Sequence, residues 1–439
     1  MRRPVAGSIL ALTGGILALT LLAALLLGCG KRGGSDKTIR VVRNIGGREG
    51  FKQHFEAWKS AFEKANPNWK MDLIDLGDAN GAAYYKTCVA TGDLPEIVQT
   101  WSLTKYMVDS DMLTPIPGSY YEKFGVQMPA PYKGQQYNSQ GGLQFLGIAV
   151  NKAMWADVGV TQPPATWDDL IASLKKLKDK GHRPLVYGGR DWSAASPLSY
   201  ALQVNLYDPD PPAGKPSWTQ RRDRGEVKFT TDPTARRVVQ KMVELLDLFT
   251  EKGVLSDGYP EQQRLFYGNQ GAAWLMGCWI AGDLEPNKVS QDIEYWPIPS
   301  MTGAPAVFLA STRMQSGWAI SKSAPEEKKQ KALAVLEAFY EPQVYQLYLN
   351  GEGMFSMARK VPVAGPKSNW PAAQKLFDGM AAGLKAYPTH TGWLLGLEDQ
   401  PPPSMKWERV MQEILSGEKD VDKLLAILDD EWDRARKGQ

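Results

Sequence analysis

The 15 tryptophans in these 439 residues are the feature most suited to surface chemistry, because an indole offers a broad apolar face with one hydrogen-bond donor at its rim. Most must fill a core or anchor helices. A few fall beside polar residues directly after short apolar runs: Trp101 with Ser102, Trp192 with Arg190 and Asp191, and Trp279. Asn44, Arg48 and Glu49 follow another such run, and Asp78 and Asn80 a further one. In open α/β sheets ligands bind beyond the carboxyl ends of the strands, so these are the candidate binding residues. Indole faces among carboxylate, amide and guanidinium groups can hold a small polar molecule by one face and around its edge.

The residue types that would carry other chemistry lack the necessary spacing. His54, His182 and His390 lie far apart, with no H-x-x-x-H or C-x-x-C pattern, so no metal site is expected. There is no G-x-S-x-G elbow and no G-x-x-x-x-G-K-[ST] loop. Gly46-Gly47-Arg48-Glu49-Gly50 lacks the G-x-G-x-x-G spacing of a dinucleotide loop, and no cofactor is expected. Cleavage of a glycoside would need two carboxylates facing across the bond; Glu49 and Asp191 are the pair that would supply them, and binding without turnover is the expectation. The net charge of +3 includes Arg2 and Arg3, and no basic stripe remains to neutralise phosphates, which argues against nucleic acid as a partner.

The elements that must position these residues follow from periodicity. A β-branched run at 38–43 predicts a first strand opening into the glycine-rich 44–50 loop. Phe51, Phe55, Trp58 and Phe62 recur at helical spacing and predict one apolar face. Strands are expected at 71–76, 96–100, 145–150, 185–187 and 272–276, with a helix at 84–90. Thr166 and Asp169 predict a capping box ahead of the Leu170, Leu174, Leu177 face. The Pro-, Gly- and charge-rich stretch 207–226 reads as an exposed loop. Asp232-Pro233 opens a long helix, and 326–340 and the stretches after Trp370 are also helical. Strands alternating with helices argue for an α/β fold with parallel βαβ units, and the length argues for two lobes.

At the N-terminus, Met1-Arg2-Arg3 precedes an apolar run from Ser8 to Leu27, the pattern of an export signal. The run ends in Leu26-Leu27-Gly28-Cys29, which resembles the lipobox of bacterial lipoproteins, whose cysteine becomes the first mature residue and carries diacylglycerol. This implies a signal peptide at 1–28, lipid on Cys29 and a flexible tether at 29–37 spanning about 15 Å. Several acyl chains would anchor the protein stably to the membrane, on its periplasmic face or the outer cell surface. An uncleaved anchor is the other reading, since the run approaches the roughly 20 residues that cross a bilayer. Cys88 and Cys278 could pair in an oxidising compartment; two separate buried thiols are expected.

Four segments carry a family resemblance. Gly92-Asp93-Leu94-Pro95-Glu96-Ile97-Val98 is similar to a G-x-x-P-D-[IV] signature, with Glu96 for the commoner Asp. Gly147-Ile148-Ala149-Val150-Asn151-Lys152 and then Pro163-Pro164-Ala165-Thr166-Trp167-Asp168-Asp169-Leu170 are similar to Y-N-K followed by P-P-x-T-W-[DE]-[DE]-L, with Val150 where Tyr is usual. Phe266 to Ala273 with Gly277-Cys278-Trp279, and Ser316 to Lys322, complete the series. In this order they resemble the extracellular solute-binding protein family 1 of ABC importers, whose best-known members bind maltose and other sugars.

The resemblance implies a two-lobed periplasmic-binding-protein fold, type II-like, with a ligand cleft between discontinuous lobes: 38–146 plus 305–356, and 147–304 plus 357–439. The chain would cross near Phe145, Pro305 and Met357. It also implies an extracytoplasmic lipoprotein, acting as a monomer, that binds a mono- or oligosaccharide and delivers it to the ABC transporter permease subunits. Trp101 and Trp279 carry over most directly as contacts, Asp191 and Trp192 on a weaker motif, and Ser316 and Trp318 lie near another contact loop. A sugar ring has one C–H face for an indole and a belt of hydroxyls for the polar groups. Arg48 and Arg190 leave an acidic sugar or another anion open.

Overall fold

The computed structural model describes residues 37–437 except 46–47, 78–80, 101–102, 129–130, 208–213, 249–253, 311–316, 392–400 and 403–404. Its strands are β1 (Thr38–Arg43), β2 (Lys70–Asp75), β3 (Ile97–Gln99), β4 (Leu113–Thr114), β5 (Phe145–Asn151), β6 (Ala273–Gly277), β7 (Ile293–Trp296), β8 (Phe308–Ala310), β9 (Trp318–Ser321) and β10 (Thr389–Thr391). They form two sheets, one to each lobe. The first runs in the order β2-β1-β3-β9-β4; the second runs β10-β8-β5-β6, with β7 also on β5.

In the first sheet β1 pairs parallel with β2 and β3, through the Glu49–Ala65 and Gly81–Thr91 helices, as the strand–helix alternation predicts. The return strand β9 runs antiparallel between β3 and β4. The second sheet departs from the expected parallel pairing: β5 is antiparallel to β6, β7 and β8, and only β8 with β10 is parallel. Its neighbours arrive from far along the chain.

Each strand sorts its side chains by its period of two. Ile39 and Val41 of β1, Ile97 of β3, and Trp318 and Ile320 of β9 join one apolar cluster; Val42, Val98 and Ala319 face the other side. On β5, Phe145 and Ala149 join the first cluster, while Leu146, Ile148 and Val150 join a separate cluster beneath the helices of the second lobe. One core therefore passes continuously between the sheets. The periodic faces are buried as their spacing requires: Phe51, Phe55, Trp58 and Phe62, and Leu170, Leu174 and Leu177. The Thr166–Asp169 capping box is formed, opening the Trp167–Asp179 helix.

Three expectations are corrected. Residues 185–187 are buried, with Val186 N–H donating to the Ala273 carbonyl at 2.7 Å, but they form no ladder. Part of 207–226 is a docked helix: Trp218–Asp223 buries Trp218, and Arg222 pairs with Asp429 and Asp433. The return to the first sheet comes after Ala310, not near Pro305, because Phe308 and Leu309 bury on opposite faces of the second sheet. Phe145 and Leu146 likewise pair in the second sheet. Beside them the two crossing segments run together, with Leu143 and Phe355 exchanging both backbone hydrogen bonds.

Candidate functional site

Beyond the end of β6 a short 3₁₀ turn segment, Cys278–Asp283, carries Trp279 near its start and Asp283 at its end. The indole folds back over Gly277, where a Cβ would come within 1.9 Å of the ring. Glycine in the Gly277-Cys278-Trp279 element is thus a steric requirement of the ring position. The indole N–H of Trp279 donates to the Tyr259 hydroxyl at 3.1 Å. Tyr259 opens the Tyr259–Tyr267 helix and is a member of the site that its sequence context does not distinguish.

Trp192 completes the group and is 46% exposed, although it is one of the largest apolar side chains a protein can bury. Its ring centroid lies 5.2 Å from that of Tyr259 and 6.4 Å from that of Trp279, the two indole planes meeting at 54°. Asp191 fixes this geometry. Its carboxylate accepts from Ser193 N–H at 3.0 Å, Ser193 Oγ at 2.6 Å and Tyr259 N–H at 2.8 Å. Gln262 then donates to Ser193 Oγ at 2.7 Å and accepts from the buried Trp274 indole at 2.8 Å. Asp191 therefore positions Trp192 and Tyr259. Arg190, half exposed, pairs with Glu261 at 3.0 Å.

The first lobe meets this turn through charge. Arg48 Nε lies 3.2 Å from Asp283 Oδ1, and its guanidinium sits 3.6 Å over the Phe51 ring. Gln263 donates to the other Asp283 oxygen at 3.1 Å. Behind them Arg43, fully buried, pairs with Glu352 at 3.0 Å and faces the rings of Phe51, Trp318 and Tyr348. Burial pushes the Asp283 and Glu352 carboxyls up, with the arginines opposing. Burial also works against the Arg48 charge, but Asp283 and Glu352 outweigh it and raise its pKa. His54 is buried beside this group among Trp58, Phe339 and Tyr348; burial and then Arg43 hold it well below the ordinary histidine range.

Of the remaining candidates, Asn44 is half-buried and its backbone N–H donates to Gln99 Oε1 at 3.2 Å. Glu49 is exposed and accepts from Gln53 at 3.1 Å. Trp318 is corrected to a core residue: 1% exposed, it packs against Trp58 and Phe339 and donates to the Val42 carbonyl. Strand parity turns it inward. Asp78, Trp101, Ser102 and Ser316, and the lipid-attachment candidate Cys29, lie outside the described residues. Cys88 and Cys278 are separate buried thiols, and burial pushes that of Cys278 up to about 12. Among the described residues no helix is long and apolar enough to cross a membrane.

Several motif residues prove to hold the scaffold. Glu96 accepts from Arg40 N–H at 2.8 Å and from Lys328 Nζ at 3.1 Å, at the end of β3 remote from the site. Asn151 caps the Lys152–Asp157 helix. A Cβ at Gly147 would lie 2.6 Å from the Trp296 carbonyl.

Comparison with known proteins agrees with this architecture. A chitin oligosaccharide binding protein superposes with a TM-score of 0.73 at 20% identity, covering 92% of this chain and 100% of its own. The complex of the binding protein RafE with raffinose gives 0.64 at 18% identity, over 91% and 99%. The GacH receptor of Streptomyces glaucescens, described unliganded and with acarbose, gives 0.67 at 16% identity, over 91% and 98%. An uncharacterized ABC transporter extracellular-binding protein of Pyrococcus horikoshii is 23% identical over 269 residues, which span 58% of this chain and 58% of that relative's length. The model of the bacterial extracellular solute-binding protein family matches residues 45–346, more than half of the chain, and the chain belongs to that family.

Proposed function

We propose that this chain captures a carbohydrate between its lobes and hands it to the permease of an ABC importer, without cleaving it. The observation that carries this reading is the exposed Trp192, held against Tyr259 and set at an angle to Trp279. Two indole faces meeting at a corner suit the C–H faces of sugar rings. We also assign Asn44, Glu49, Asp78, Trp101, Ser102 and Ser316 to the ligand. The chitin oligosaccharide, raffinose and acarbose named for three structural neighbours support a saccharide, and the family supports an importer. Asp191 bonds inward to the scaffold, which argues against its pairing with Glu49 as a hydrolytic dyad. We further propose that a signal peptide at 1–28 directs export and that lipid on Cys29 holds the protein, as a monomer, to the outer face of the membrane.

The test is a melting screen against chito-oligosaccharides, raffinose, maltose and monosaccharides. At a hundred times Kd, a ligand binding only the folded state stabilises it by about 2.7 kcal/mol, a readable rise in Tm. Trp192→Ala and Trp279→Ala should each abolish the rise; the unliganded Trp192→Ala protein should melt near wild type, and Trp279→Ala lower, because its ring packs against both cores. Two variants that respond as wild type would overturn the aromatic site, and sugar turnover would overturn binding alone. Cys29→Ser should abolish incorporation of a labelled fatty acid into the chain, and unchanged labelling would overturn the lipid assignment.

A further inference from the structure

The turn Cys278–Asp283 belongs to the second lobe by its strand, yet much of it is seated on the first. Ile280 and Ala281 join the same apolar cluster as Tyr348 and Leu349 of the Pro342–Glu352 helix, which packs on the Glu49–Ala65 helix. Backbones approach closely there: a Cβ at Gly282 would lie 2.2 Å from the Gly351 carbonyl, and one at Gly353 would lie 2.7 Å from the Cys278 carbonyl. The same turn presents Trp279 to the site.

Arg48 is one charged member of this seat, with Glu352 beside it. Its Nε is engaged by Asp283, its guanidinium covers Phe51, and its Nη2 is sealed from solvent without a hydrogen-bond partner. Asp283, mostly buried, is held in turn by Gln263 from the second lobe. The pair thus ties the loop after β1 to the turn that carries the indole.

We infer that Arg48 is a positioning residue: with Asp283 it forms a clasp between the lobes that favours the closed arrangement and sets Trp279 against the first lobe. This rests on the carbohydrate-binding reading for its effect on affinity, but not for its effect on lobe arrangement. A ligand that needs the closed state binds with an apparent Kd raised in proportion as that state is depopulated. Loosening the clasp therefore weakens binding through geometry.

The experiment compares wild type, Arg48→Met, Asp283→Asn and the double variant by small-angle scattering without ligand, and by calorimetric titration with whichever of chitotriose, raffinose or maltotriose the wild type binds. Both single variants should expand the ligand-free protein and weaken binding by about tenfold, and the double variant should be no worse than either. Loss of affinity in Arg48→Met alone would mean that Arg48 touches the ligand, and additive losses would mean that the two residues act separately; either result overturns the clasp. Unchanged scattering in both single variants also overturns it. If the wild type binds none of the sugars, the carbohydrate reading fails while the scattering still decides the clasp.

Discussion

Glu352→Gln should be among the most destabilising single polar substitutions in the first lobe. Arg43 is buried on β1, with its side chain 1% exposed and that of Glu352 12%, and they meet at 3.0 Å. Two further Arg43 nitrogens, Nε and Nη1, have no hydrogen-bond partner, so the charge is supported by this carboxylate and by the faces of Phe51, Trp318 and Tyr348. Removing one member of a buried ion pair costs about 3–5 kcal/mol, because the other charge remains without water. An amide can still accept a hydrogen bond, so the lower end, about 3 kcal/mol, applies. With a urea m-value near the upper end of the usual range, about 3 kcal/mol/M, the midpoint should fall by about 1 M. Tryptophan fluorescence follows the transition, since Trp318 lies beside the pair and Trp58 packs on Trp318. Replacing both charges, as Arg43→Met with Glu352→Leu, should recover most of the loss, because the cost lies in the unpaired charge. A Glu352→Gln midpoint equal to wild type, or a double variant as unstable as the single one, would refute this account.

Gly277→Ala should weaken sugar binding by about tenfold with a smaller effect on unfolding, because the added methyl evicts the Trp279 ring from its place; titration calorimetry reads it, and wild-type affinity would mean that the ring position is immaterial. His54, whose pKa is depressed in the fold by burial and then by Arg43, contributes no pH dependence above about 6.5. As pH falls below that value the unfolded chain takes a proton that the folded chain refuses, and stability should fall by up to about 1.4 kcal/mol per pH unit; His54→Leu should flatten the urea midpoint between pH 7 and 5, and an unchanged slope would count against this. Burial alone would raise the Asp109 carboxyl, but hydrogen bonds from Lys105, Lys133 and Tyr132 hold it at about 2. Its contribution is present above the unfolded value and lost as pH falls through the folded one; because the group is 36% exposed, Asp109→Asn should cost less than about 1 kcal/mol at pH 7 and progressively less as pH falls towards 2.

Elements with a strong local period were legible in the sequence. The spacing of Phe51, Phe55, Trp58 and Phe62, and the Thr166–Asp169 box, state a helix and its buried face without outside information. The Trp218–Asp223 helix was hidden because its partners are distant. Ser217 caps it locally with Gln220, but Arg222 is neutralised by Asp429 and Asp433, and Trp218 packs on Phe229 and Trp432. Composition read those residues as solvent-facing. β10 is three residues long and is defined by its register against β8, which no local pattern can state.

The site was legible as a neighbourhood but not as a set of roles. The rule that ligands lie beyond strand ends selected Asp191, Trp192, Trp279 and Arg48, and the structure brings Asp191, Trp192 and Trp279 around Tyr259, with Arg48 reaching the same turn through Asp283. It could not separate a residue that presents itself from one that holds another in place. That separation comes from accounting for polar atoms. An aspartate that accepts three bonds from its own fold, as Asp191 does, has little capacity left for a ligand, whereas an indole 46% exposed has a whole face left. Asp283 escaped notice for the complementary reason: four residues beyond Trp279 on the same turn, it has nothing in its local sequence to announce that Arg48, 235 positions earlier, is its partner. Residues that orient a binding surface are selected for contacts across the fold, so they become visible only when both ends of the contact are in view.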